Sequence, residues 1–345
     1  MRLLAKWVAI TLLSVLLCEV VLILWGFAPT YSVRIQGIPA PNDQLRFELD
    51  RDRIFRLKPW PAQSINSWGY RDREFGPRRE GVRRVVVVGD SFPMGMAVDV
   101  KQTFPKVLEE LLGPSVEVLN LGVLCYGPDQ ELLVIKDEVV RLKPDIVLWS
   151  LYPGNDFSDV VRDRIFDLGA NSELRRINDH FVNREVPWLK LQSFYQLMVH
   201  GRFFPSETQE RVDEAVFRDH VHIHYRADDP FRVHGVPLVR KLIQEGRDFL
   251  SERKIKLGVL VIPAYEVVQN PERVLKEGVP PERLSNNEEL MVELLNNLQI
   301  ATVDLTPQFK GRGADGLYLD ADRHFSVSGH RAAAEAVAEL IRPML

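Results

Sequence analysis

Val85-Val86-Val87-Val88-Gly89-Asp90-Ser91 is the stretch that decides the fold. Four β-branched residues in succession predict a strand buried on both faces, the pattern of a parallel α/β sheet. A Gly-Asp-Ser closing such a strand sets a serine hydroxyl at the carboxyl edge of the sheet, where open α/β folds place their ligands. The tripeptide is equally good turn and N-cap chemistry, so on its own it leaves the role of Ser91 open.

Outward from this run, the first strand spans about Val82–Val88. A helix is expected over Thr103–Leu112, stopped by Gly113, then a second strand at Val116–Leu121. Glu131–Leu142 has the spacing of a helix, and Pro144 introduces a third strand that runs to Leu151. Strand and helix alternating through short links predict parallel crossovers. The rhythm breaks at about Val160–Pro237, which is charged, aromatic and poorly periodic, as suits an insertion or lid over the sheet edge. It returns with a helix near Leu238–Arg253, strands at Lys256–Ile262 and near Gln299–Val303, and a closing helix at about Gly329–Ile341. Ser326 or Ser328 would cap that last helix. There is no internal repeat.

Composition narrows the function classes. With 46% apolar and 27% charged residues over 345, the chain has ample core for one large domain or two small ones, and disorder is not expected. A formal charge of −4, without a nucleic-acid-binding motif, argues against a polynucleotide partner. Trp7–Ala28 is almost wholly apolar and long enough as a helix to cross a bilayer. Arg2 and Lys6 ahead of it predict a cytoplasmic tip and an exported remainder. The apolar run is longer than a cleaved signal requires and lacks an Ala-x-Ala-like end. Leu17 before Cys18 does not suit a lipoprotein site. Glu19 within the span marks either a helical partner in the membrane or one tolerated carboxyl. Cys18 and Cys125 fall in different compartments of the fold, so no disulfide is expected.

Three more clusters fall where strands end: Asn120-Leu121-Gly122-Val123-Leu124-Cys125-Tyr126-Gly127, Gly154-Asn155-Asp156, and Asp320-Ala321-Asp322-Arg323-His324. Together with Ser91 they bring a nucleophile, oxyanion donors and an Asp/His pair to one sheet edge. Taken singly, each reads otherwise: Asn155 as a turn residue, His324 as a helix-start residue, Asp322 as solvated surface. His220, His222 and His224 alternate and would share one face of a strand, a geometry that suits metal ligation. No acidic or cysteine partner stands at a matching spacing, and no metal or cofactor is expected. Gly311-Arg312-Gly313-Ala314-Asp315-Gly316 reads as a loop beside the His324 segment and lacks the Lys-Ser/Thr of a phosphate cradle.

In these blocks and their order the chain resembles the SGNH (GDSL-type) hydrolases, a family of esterases, lipases and carbohydrate O-acyltransferases. The matching residues are Gly89-Asp90-Ser91 with Gly95, the Asn120–Gly127 turn, Gly154-Asn155-Asp156 and Asp322-Arg323-His324. Asn66–Asp72 is similar to what precedes the domain in membrane-anchored bacterial members. The resemblance implies a three-layer α/β/α, flavodoxin-like parallel sheet with an inserted lid region, preceded by one transmembrane helix. The expected parts are a cytoplasmic tip and anchor (1–28), a linker and N-terminal extension (29–80) and a catalytic domain (81–345, insertion at about 160–237). It implies Ser91 as nucleophile, His324 as base and Asp322 as its orienter, with Asp320 as the alternative orienter. The Ser91 N–H, the Asn155 amide and an N–H of the turn after Asn120 would form the oxyanion hole. Cys125 stands where the family usually has glycine, so either the turn keeps that donor or Gly127 takes the role.

The implied protein is an extracytoplasmic serine esterase acting on O-acyl groups of a carbohydrate or other surface molecule. One alternative is an O-acyltransferase modifying an exported polysaccharide, which would need a membrane acyl-carrier protein as partner if its donor is of coenzyme-A type. The other is a non-catalytic polysaccharide-binding or assembly protein.

Overall fold

Both faces of the valine run are buried: Val85 and Val87 pack into one apolar cluster, Val86 and Val88 into the other, and none of the four is exposed. This is the period-2 consequence of a strand covered on two sides. The computed structural model describes residues 2–24, 31–34, 44–95, 98–178, 228–276, 278–312, 316–320 and 323–345.

In chain order the elements begin with α1 (Arg2–Leu24), β1 (Tyr31–Arg34), β2 (Gln44–Asp50), β3 (Ile54–Leu57), β4 (Arg83–Gly89), α2 (Ser91–Met94), α3 (Phe104–Leu112) and β5 (Val116–Gly122). Then come α4 (Pro128–Val134), which runs through a π-helical stretch, Ile135–Val139, into α5 (Val140–Leu142), and β6 (Ile146–Leu151), α6 (Asp156–Asp163), β7 (Phe166–Leu168) and β8 (Leu174–Arg176). The last are α7 (Pro230–Glu252), β9 (Lys256–Val261), α8 (Tyr265–Val268), α9 (Pro271–Lys276), α10 (Asn286–Asn297), β10 (Ala301–Asp304), α11 (Thr306–Arg312) and α12 (Val327–Ile341).

The main sheet has the order β10-β9-β6-β4-β5, with every pair parallel. This is the flavodoxin-like order, whose switch point lies between the first and third strands, here β4 and β6. One face is covered by α4, α5, α7 and α10, which meet Val86, Val88, Trp149 and Val259. The other carries α3, α11 and α12, which meet Val85, Val87, Leu148 and Leu260. The result is a three-layer α/β/α fold on a parallel sheet of flavodoxin-like order, as the motif order implied.

The expected strands and helices appear with small shifts. The helix expected at Glu131 begins at Pro128, and the one expected at Leu238 begins at Pro230 with Pro237 inside it. The strand expected near Gln299 runs from Ala301. Ser326, not Ser328, caps α12: its hydroxyl accepts the Gly329 N–H at 3.2 Å. Gly113 ends α3 at φ 82°, in the left-handed region that glycine tolerates. Sequence reading passed over α10, because asparagines at both its ends read as loop residues until Met291, Leu294 and Leu295 are seen to be buried.

It also passed over β2 and β3, which pair antiparallel. Phe47, Ile54 and Leu57 from these strands, with Ile65 and Tyr70, join the same core as Val86 and Trp149. Polar ties reinforce the packing. Glu138 takes Arg53 at 2.5 Å and the Tyr70 hydroxyl at 2.7 Å, and the Tyr126 hydroxyl donates to Phe55 O at 2.7 Å. Ahead of all this, Arg2–Val21 in α1 is long and apolar enough to cross a membrane, with a mean hydropathy of 2.0. His220, His222 and His224, most of the expected insertion, and Gly313 to Asp315 lie outside the described residues.

Candidate active site

Ser91 opens α2 directly beyond β4, at the carboxyl edge of the sheet and at the switch point. The sequence makes this turn tight. A Cβ at Gly89 would lie 2.8 Å from Ser150 O and from Pro93 Cγ, so only glycine lets the chain pass there. Asp90 caps the short helix, its Oδ1 accepting the Phe92 N–H at 3.0 Å. Burial pushes the Asp90 carboxyl up to about 6, partly offset by that N–H.

His324, distant in sequence, reaches the same point: its Nε2 lies 2.8 Å from Ser91 Oγ. The Phe92 ring packs 5.2 Å from the imidazole and 4.7 Å from the Tyr152 ring, flooring the site with aromatic surface. A strap tied to the end of β9 carries His324. Tyr318 N–H donates to Gln269 Oε1 at 3.0 Å, the Tyr318 hydroxyl donates to Pro263 O, and Leu319 N–H donates to His324 O at 2.9 Å. Arg323 sits at φ 61° and pairs with Glu266 at 3.1 Å. Asp320, the alternative orienter, is engaged elsewhere. Its Oδ1 accepts the Tyr265 hydroxyl at 2.8 Å and Gln269 Nε2 at 3.3 Å, pinning the strap to α8. Asp322 lies outside the described residues.

Asn155 stands at the N-cap position of α6, yet its side chain makes no cap bond, and its Oδ1 is buried without a hydrogen-bond partner among the described residues. An asparagine retained only for turn chemistry would use that oxygen as a cap. Gly154 beside it allows close approach of the Tyr152 ring, which a Cβ would meet at 2.5 Å.

Cys125 occupies the glycine-like conformation outright, at φ 61°, while Gly127 is extended at φ −99°. The amides around Cys125 are already engaged. Val123 N–H goes to Gly89 O at 3.0 Å, Leu124 to Met94 Sδ at 3.3 Å, Tyr126 to Val123 O at 3.2 Å and Gly127 to Gln130 Oε1 at 3.0 Å. Gly127 therefore does not offer the spare donor of this turn, and the Cys125 N–H is the amide left outside these bonds.

Asn120 belongs to the scaffold. Fully buried, it donates from Nδ2 to Pro93 O at 2.6 Å and accepts the Gly122 N–H at 3.0 Å, so it links the β5 turn to α2. Sequence reading gave no role to three further residues. His330, fully buried, accepts the Phe104 N–H at Nδ1 (3.1 Å), and burial lowers its basicity to about 3, so it stays a neutral tie between α12 and α3. Arg71 and Asp72 reach α2 and Asn120 from outside the sheet. The one available signal was the Asn66–Asp72 stretch, singled out by the resemblance alone. Among the described residues no group of His, Cys, Asp and Glu is arranged to hold a metal ion.

Residues 225–344 match the family model described as "SGNH hydrolase-like domain, acetyltransferase AlgX". No curated protein matches the chain significantly. Among solved structures the chain is similar to a lipase/acylhydrolase from Enterococcus faecalis at 14% identity, covering 76% of this chain and 96% of that one, with a TM-score of 0.44. It is also similar to TesA at 13% identity, covering 76% and 100%, with a TM-score of 0.45. A third, the acetyl xylan esterase AlAXEase, is 15% identical, with coverage of 75% and 99% and a TM-score of 0.41.

Proposed function

We propose that this chain is an SGNH-type serine hydrolase or acyltransferase, a reading the family-model match of residues 225–344 supports, and that it works through an acyl-Ser91 intermediate formed from an O-acyl ester. The observation that carries the reading is the 2.8 Å contact between His324 Nε2 and Ser91 Oγ at the switch point of the sheet. In the first half-reaction Ser91 Oγ bonds to the ester carbonyl carbon and gives its proton to His324 Nε2. The leaving alkoxide then takes that proton as its C–O bond breaks. In the second, water or an acceptor hydroxyl gives a proton to the same nitrogen and attacks the acyl carbon, and Ser91 leaves with the proton returned. The carbonyl oxygen becomes anionic twice, and the donors assigned to it are the N–H groups of Ser91 and Cys125 and the Asn155 amide. Asp322, two residues before His324, is assigned to hold the imidazole with its proton on Nδ1, so that Nε2 is free to accept.

Hydrolysis and transfer use the same residues. The match of residues 225–344 to a model described as acetyltransferase favours an acetyl group passed to a carbohydrate hydroxyl as the second reading. A non-catalytic binding protein has no use for a serine and histidine held at hydrogen-bond distance. The apolar α1, with Arg2 and Lys6 near its start, supports a membrane-attached enzyme with its catalytic domain on the extracytoplasmic side.

The test is intact mass of the full chain in detergent after exposure to an activated acetyl ester, with Ser91→Ala alongside. A single acetyl adduct or steady turnover in the wild type, absent from the variant, is expected. Faster discharge of the adduct on adding oligosaccharide would establish transfer. No adduct and no turnover from folded wild-type protein would return the site to the binding reading.

A further inference from the structure

The nucleophile rides on a helix of one turn, which has no stability of its own. What holds α2 in place can be found by following its carbonyls, since each buried one needs a partner. Ser91 O and Phe92 O accept the Gly95 N–H at 3.0 and 3.1 Å. Pro93 O accepts Asn120 Nδ2 at 2.6 Å. The next two are taken by one side chain: Arg71 Nη1 donates to Met94 O at 3.4 Å and to Gly95 O, and its Nη2 donates to Val98 O at 2.8 Å.

Arg71 is 8% exposed, its described hydrogen-bond acceptors are all carbonyls, and Asp99, whose charge reaches it, forms no ion pair with it among the described residues. A buried guanidinium hydrogen-bonded only to carbonyls is costly unless its geometry is needed, and its rigid fork is what lets one residue gather three acceptors. The adjoining Asp72 anchors the other support of α2. Its Oδ2 accepts the Asn120 N–H at 2.9 Å and its Oδ1 takes Lys106 at 2.7 Å. Thus two consecutive residues of the Ile65–Asp72 turn grip the far end of α2, one directly and one through Asn120. Gly95 closes the grip at φ 79°, since a Cβ there would lie 2.1 Å from Thr103 Cγ2.

We propose that Arg71 is a positioning residue for the reaction: its guanidinium fixes α2 along the helix axis and thereby sets Ser91 Oγ at bonding distance from His324. The proposal rests on Ser91 being the nucleophile. The segment before the first strand of the sheet therefore takes part in catalysis without touching substrate.

The test compares full-length wild type, Arg71→Lys, Arg71→Met and Ser91→Ala on an activated acetyl ester, with kcat, KM and thermal midpoint measured for each. Displacing a catalytic group by about 1 Å costs on the order of 100-fold. The expected result is a kcat lower by about 10- to 100-fold in Arg71→Met at a KM within about twofold of wild type. Arg71→Lys should fall between, because an ammonium cannot span three carbonyls. If Ser91→Ala keeps the activity, the reading of the site fails whatever Arg71 does. If Ser91→Ala is inactive while folded Arg71 variants keep the wild-type kcat and lose only thermal stability, the positioning role is overturned and Arg71 is architectural. Should Arg71→Met not fold, Arg71→Lys decides on the same readout, and loss of folding in both overturns the proposal equally.

Discussion

Gly122→Ala places one methyl group where the scaffold and the proposed chemistry meet. Gly122 ends β5 beneath α2, and a Cβ there would lie 2.4 Å from Met94 N, 2.9 Å from Pro93 C and 2.9 Å from Pro93 Cγ. Carbon contacts become favourable only at about 3.5 Å, so the backbone of α2 must retreat by about 1 Å. The retreat falls on α2 because β5 is held by seven residue pairs with β4, whereas α2 is a single turn. A shift of that size carried to Ser91 lengthens the 2.8 Å contact with His324 beyond hydrogen-bond range. Turnover should drop on the order of 100-fold, and overpacking should cost about 1–3 kcal/mol of stability. Gly76→Ala is the control, since a Cβ there meets nothing within 4 Å. The assay is kcat/KM on an activated acetyl ester, paired with a thermal melt of each variant. Wild-type turnover by folded Gly122→Ala would refute the claim that the end of β5 governs the position of Ser91.

Other consequences are open to measurement. Asn155→Ala should reduce kcat by about 10²–10³ with little change in melting, and an unchanged kcat would remove Asn155 from the oxyanion assignment. Cys125→Gly should melt higher at undiminished activity, because it relieves a left-handed backbone at φ 61°; a lower melting point would contradict this. Arg84 and Glu117, 2% and 5% exposed and paired at 2.8 Å, should each cost about 3–5 kcal/mol when replaced singly by Met and Leu. The double variant should recover part of that loss in denaturant titration. Finally, burial holds Asp90 up to about 6 and Asp129, Asp159 and Glu288 up to about 7. These folded-state values lie above the unfolded ones, so the native chain keeps protons that the unfolded chain releases. Stability is then lost as pH rises from about 4 through 7. Buried His330, lowered to about 3, acts oppositely below about 6.5, and the lowered Glu109 and Asp145 do so below about 4.5, so the raised carboxyls dominate above that range. The thermal midpoint at pH 6 should therefore exceed that at pH 8, and a flat or rising profile would show that these carboxyls are not protonated in the fold.

How much of this was legible beforehand follows from the range of the interactions involved. The valine run, the Gly113 stop, the Ser326 cap and the helical spacing of Thr103–Leu112 and Gly329–Ile341 are local signals. Local backbone preference and periodicity are properties of a few neighbouring residues, and the α/β alternation read from them is the one found. Ser91 and His324 were paired by motif order, since nothing near either residue specifies that they meet. The antiparallel strands β2 and β3 were not legible, because their apolar residues, Phe47, Ile54 and Leu57, acquire meaning only against a core contributed by α4, α5 and β6.

By itself, then, the sequence determined the layered fold, the place of Ser91 at a strand end and the apolar helix Arg2–Leu24, all through periodicity and local conformational cost. Tertiary structure alone decided that Cys125 keeps a left-handed turn, that Asp320 serves the strap through Tyr265 and Gln269, and that Arg71 holds α2. Each of those outcomes is set by which backbone oxygen, amide or hydroxyl comes within about 3 Å in space, and a chain read in one dimension does not carry that distance.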